Sequence, residues 1–94
     1  MQDIQNLRQQ LKEEGFVHIF EWKDALNTEY DEHAHKGAVT IYILEGGLTF
    51  YFDNEEILLN EGERFDVPVG RSHRALVGSR GCHYLVGEMI HGDS

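Results

Sequence analysis

The chain has 94 residues, 40% of them apolar and 11% aromatic, enough for the core of one small domain spanning 1–94 and too few for two. Its formal charge of −9 argues against a phosphate-binding surface, so no nucleic-acid partner is expected. No apolar run approaches a bilayer-spanning length, the polar start MQDIQNLRQQ lacks the pattern of a signal peptide, and a lone cysteine, Cys82, excludes an internal disulfide; no membrane partner and a cytoplasmic location are therefore expected.

In chain order, Ile4, Leu7 and Leu11 recur at helical spacing and predict a short N-terminal helix within 1–15, with Asp3 as a cap and Gly15 as the stop. From residue 16 the period changes to two, which predicts an all-β body over 16–90. FVHIFEW (16–22) alternates. AVTIYIL (38–44) is apolar on both faces, as a strand buried between layers would be. GLTFYF (47–52) follows across Gly46-Gly47, which predicts a hairpin there. DNEE (53–56) turns the chain into ILLNEGE, and RFDVP (64–68), HRALV (73–77) and CHYLVGEMI (82–90) complete the set, with the single proline, Pro68, in a bend. Short strands separated by frequent glycine-bearing turns point to a sandwich or barrel.

Two stretches carry chemistry. In YDEHAHKGAVTIYILEGG, His33 and His35 lie two apart, and in an extended segment residues two apart share a face, so both imidazoles can converge on one point. In GERFDVPVGRSHRALV, a Pro-Gly bend precedes His73; if the strand that His73 opens lies beside the first histidine segment, a third nitrogen joins the pair. In its strand-like setting Cys82 reads as a small core residue rather than a nucleophile.

These spacings resemble the two motifs of the cupins. His33, His35 and Gly46 match the first motif, and Gly62, Pro68, Gly70 and His73 match the second at every spacing. The resemblance covers about residues 28–88 and implies a jelly-roll β-barrel with a short N-terminal helix and a three-histidine metal site at His33, His35 and His73. The departures are specific. The position of the family's glutamate holds Val39, the first motif's opening glycine is replaced by Asn27, and the second motif's closing asparagine by Val77. With three imidazoles and no carboxylate, the expected cofactor is a divalent ion (iron, nickel, zinc, manganese or copper) with coordination positions left open for a small polar or anionic ligand. Dioxygenase or isomerase chemistry is one outcome, and a non-catalytic ligand-binding or sensing module is the alternative.

By strand parity, Val39, Ile41, Ile43, Ala75 and Val77 continue the histidine faces and should wall an apolar cavity, while Tyr42 should face outward or into a dimer contact. Tyr30, Phe50, Tyr51 and Phe52 are candidates for stacking on a ligand. Asp31, Glu32, His83 and Glu88 are weaker candidates for a fourth metal ligand, and a tyrosine or Glu88 for moving protons. His18 and His91 read as an exposed strand residue and a loose tail. A helix with little to pack on, together with the two apolar faces of 38–44, suggests a homodimer.

Overall fold

A computed structural model describes residues 3–89. The expectations that fall on Met1, Gln2, Ile90 and His91 lie outside the described residues. Helix α1 spans Ile4–Glu13; the Asp3 carboxylate accepts from the Gln5 amide at 2.9 Å and caps its start. Six strands follow: β1 His18–Asp24, β2 Glu29–His33, β3 Val39–Phe52, β4 Glu55–Asn60, β5 Arg64–Val67 and β6 His73–Glu88. Every pairing is antiparallel. The result is the jelly roll that the motifs implied.

The hairpin expected at Gly46-Gly47 does not exist. β3 runs straight through both glycines, and β6 runs through Gly78 and Gly81 in the same way, where the sequence suggested two separate strands. These two long strands pair along their whole length, from Val39↔Glu88 to Tyr51↔Arg74, with register shifts between Ile43 and Leu48. The shifts bend the pair instead of reversing it. One half of the folded sheet is ordered β1-β6-β3-β5 and the other β2-β6-β3-β4. Gly46 and Gly81 form the corner, with φ of +84° and +76°, and an added Cβ on Gly46 would lie 2.1 Å from the Gly81 carbonyl oxygen. Only glycine allows two backbones to cross that closely.

The strand pleat divides the side chains between two cores. Between the halves lie Ile43, Leu48, Val77, Tyr84 and Val86 among others. On the outer face, Leu7 and Leu11 of α1 pack with Phe16 and the fully buried Leu85, and Tyr42 and Leu44 flank them. Fully burying an aliphatic side chain such as Leu85 contributes about 1.5–3 kcal/mol. Tyr42 therefore has the expected parity but is half-buried in the helix-side cluster. Part of the outer face of 38–44 packs against the cluster that the chain's own helix forms with Phe16 and Leu85. No helix among the described residues is long and apolar enough to cross a membrane.

One ion pair ties the end of α1 to the sheet. Arg64 donates to both Glu14 oxygens, at 2.9 and 2.6 Å. The Arg64 and Gln10 hydrogen bonds hold the Glu14 carboxyl down at about 2, below its ordinary value of 4.5. A depressed carboxylate pKa stabilises the fold above the unfolded-state value, and this stabilisation is lost as pH falls from there through the folded-state value. Acid titration followed by circular dichroism should therefore show the native chain losing more stability than Glu14→Gln between pH 4.5 and about 2. Identical losses in the two proteins would show that the pair contributes nothing.

Candidate metal centre and its cavity

The three expected histidines come together. His33 ends β2 and is the Cα partner of His73, which opens β6, while His35 follows in the loop, where its carbonyl accepts from the Gly70 amide at 2.9 Å. Ring centroids are 4.9 Å apart for His33–His35, 4.6 Å for His33–His73 and 5.4 Å for His35–His73. One nitrogen from each ring falls within 4.8 Å of the others. Metal–imidazole bonds are about 2.0–2.1 Å, so a bound ion would draw the rings slightly inward.

The tautomers of two rings follow from their neighbours. His33 Nδ1 lies 2.8 Å from the Asp31 carbonyl, and His73 Nδ1 lies 3.0 Å from the Arg71 carbonyl. A carbonyl only accepts, so each Nδ1 carries the proton and donates, which leaves the Nε2 lone pair available. This is the backbone support that orients histidines holding a metal. His73 is fully buried, and its Nε2 has no hydrogen-bond partner among the described residues. A buried polar atom left unpaired is costly, and a metal ion would satisfy it. Burial lowers the His73 pKa, partly offset by the Arg71 carbonyl, and the nearby His33 lowers it further. All of this favours the neutral, ligating imidazole. Among the described residues no carboxylate joins the trio: Val39 lies in the cavity wall where the motif would place one, and Asp31 and Glu32 are exposed. His83 pairs with Glu21 at 2.9 Å and is not part of the cluster.

The histidines open into a cavity of about 290 Å³ between the two halves of the sheet. Of the predicted wall, Val39, Ile41 and Ala75 line it. Ile43 and Val77 lie deeper, in the core, because the β3–β6 bend carries them past the cavity. Phe50 and Tyr30 line it as expected. Phe52 instead packs on the His73 ring at 5.4 Å, and Tyr51 lies on the other face of β3 under the Arg74 guanidinium. Phe20, Trp22 and Tyr84 were not anticipated as walls. Period-two alternation in β1 and β6 would have found them once a single inward position was known.

Three of these wall residues have their polar atoms engaged elsewhere. Asp24 accepts from Trp22 Nε1 at 2.9 Å, from the Tyr84 hydroxyl at 2.7 Å and from the Tyr30 hydroxyl at 2.8 and 2.7 Å. Burial, and then the bond to Asp24, raises the pKa of Tyr30 and of Tyr84. Both phenols are therefore held neutral as donors to Asp24. Cys82 is buried and its thiol is pushed up to about 12, chiefly by burial and then by the Asp24 charge, so it is an inert core residue as read. The facing of Glu88, open in the sequence, is settled: it lines the cavity, with Oε1 3.0 Å from His18 Nδ1.

A family profile described as "Cupin domain" matches residues 21–86. Among solved structures, a cupin-2 domain containing protein from Shewanella frigidimarina superposes with a TM-score of 0.66 at 24% identity, covering 74% of this chain and 67% of that one. KdgF from a Halomonas species gives 0.68 at 16% identity, covering 83% of this chain and 73% of that one. The polyketide cyclase RemF from Streptomyces resistomycificus gives 0.65 at 24% identity, covering 77% of this chain and 54% of that one. At these identities the likeness is one of fold. None of the curated proteins compared matches the chain.

Proposed function

Because this chain belongs to the cupin family, we propose that it holds one divalent metal ion on His33, His35 and His73 and uses that ion to bind a small ligand in the adjoining cavity. One observation carries the proposal: three imidazoles from β2, the loop after it and β6 converge, and the innermost of them has a buried, unpaired Nε2. Iron, nickel, zinc and copper suit imidazole donors, and manganese suits them less because it prefers oxygen ligands. Three neutral ligands leave coordination positions open and the full positive charge of the ion in place.

When bound, such an ion acts as a Lewis acid that polarises a ligand oxygen or nitrogen. The chain's own residues do the rest. The Asp31 and Arg71 carbonyls hold two of the rings in their ligating tautomer. Val39 in place of a carboxylate favours an anionic head group on the ligand, because no carboxylate among the described residues groups with the three imidazoles. The apolar walls exclude water around the ligand body. Oxygenation, isomerisation and ligand sensing without turnover would all begin from this bound state.

Thermal unfolding of metal-free protein tests the proposal. Zinc or nickel at a hundredfold excess over its dissociation constant should stabilise the fold by about 2.7 kcal/mol. His33→Ala should remove that stabilisation. A metal-induced shift of equal size in His33→Ala would place the ion elsewhere.

A further inference from the structure

Among the described residues Glu88 is the one carboxylate in the cavity wall, and it comes from β6 near its C-terminal end, in the half of the sheet that faces the half carrying His33 and His73. One of its oxygens is held by a neighbouring side chain. Its side chain is only 12% exposed, Oε1 is braced by His18 Nδ1 at 3.0 Å, and Oε2 has no hydrogen-bond partner among the described residues. The donor hydrogens of Trp22, Tyr30 and Tyr84 are taken up by Asp24, and the other walls are aliphatic or phenyl. Apart from the histidines, then, Glu88 is the carboxylate acceptor that the described lining presents to a ligand.

Resting on the metal reading above, we infer that the ligand is a small, largely apolar molecule, about the size of a single ring, that meets the metal through an electron-pair donor and gives a hydroxyl or amine hydrogen bond to Glu88. The volume of about 290 Å³ sets the size. The carboxylate sets the polarity of the second group: a ligand with a carboxylate or other anion there would place two negative charges together. His18 is a positioning residue in this arrangement, because it fixes Oε1 and leaves Oε2 for the ligand.

The test uses cobalt-loaded protein and benzohydroxamate, a ring-sized probe that chelates the metal, compared with its 3-hydroxy, 4-hydroxy, 3-aminomethyl and 4-aminomethyl derivatives. Cobalt absorbance reports metal loading, and calorimetry reports probe affinity. At least one donor-bearing derivative should bind wild type about tenfold or more tighter than the parent, the scale of a hydrogen bond to a charged group. Glu88→Leu should lose the preference of the donor-bearing derivatives over the parent, and Glu88→Gln should keep part of the preference for the hydroxy derivatives and lose it for the aminomethyl ones. No preference in wild type, or the same preference in Glu88→Leu, would overturn the inference while leaving the metal site standing. Absence of the cobalt spectrum in wild type would overturn both.

Discussion

Replacing His73 with alanine should abolish metal binding and also destabilise the metal-free protein by roughly 2–4 kcal/mol. The two losses have different origins. The ring is fully buried, with Phe50 and Phe52 at centroid distances of 5.6 and 5.4 Å, so truncation leaves a void among side chains that cannot follow it. Its Nδ1–H is the donor to the Arg71 carbonyl, which loses a partner at the start of β6. His33 is only half-buried, and His33→Ala should cost under about 1 kcal/mol in the metal-free form while removing the same metal response. Denaturant unfolding of the three proteins with and without chelator separates the contributions. If metal-free His73→Ala were as stable as wild type, the ring would not be packed as described. A retained metal response in that variant would remove it from the site.

The second large effect lies far from the metal. Gly46→Ala should destabilise the fold by roughly 3–5 kcal/mol, at the extreme of single substitutions. The backbone at Gly46 has φ +84°, which is strained for an L side chain, and the new methyl would fall 2.1 Å from the Gly81 carbonyl oxygen and 3.1 Å from the Cys82 Cα. Both neighbours are backbone in the crossing strand, so relief requires the β3–β6 corner to open. That corner joins the half of the sheet that carries Glu88 to the half that carries His33 and His73, so a surviving fold should also bind metal-chelating probes less tightly. Gly62→Ala is the control for backbone strain alone, since its φ is +87° but an added Cβ there meets nothing within 4 Å. Its loss should be smaller, about 1 kcal/mol. Equal losses at the two positions would mean that the corner tolerates the methyl group.

The histidine spacing carried most of what the sequence could say about the site, because a two-residue repeat and a Pro-Gly bend are local features. The corner was misread for a related reason. Gly46-Gly47 between two apolar alternations has the composition of a tight turn, and whether such a pair reverses a strand or bends it depends on the partner strand, here Gly81 of β6. Parity alone did not bound the cavity: Ile43 and Val77 share the inward face of the walls, yet beside the β3–β6 bend they lie in the core and do not line it. The Asp24 cluster was not legible at all. Trp22, Asp24, Tyr30 and Tyr84 come from three strands, and nothing in their spacing announces that they meet. Helix α1 was placed correctly, but its packing surface, centred on Leu85, became visible only once β6 was seen to present its other face outward.

The most direct measurement is the metal content of protein purified without added metal or an affinity tag, taken beside the His33→Ala, His35→Ala and His73→Ala variants. The predicted result is close to one divalent ion per chain in wild type, recovered after chelation and reloading, and loss of the ion in each variant. Wild type that takes up no iron, nickel, zinc, manganese or copper on reloading, or a variant that keeps its full complement, would contradict the three-histidine centre.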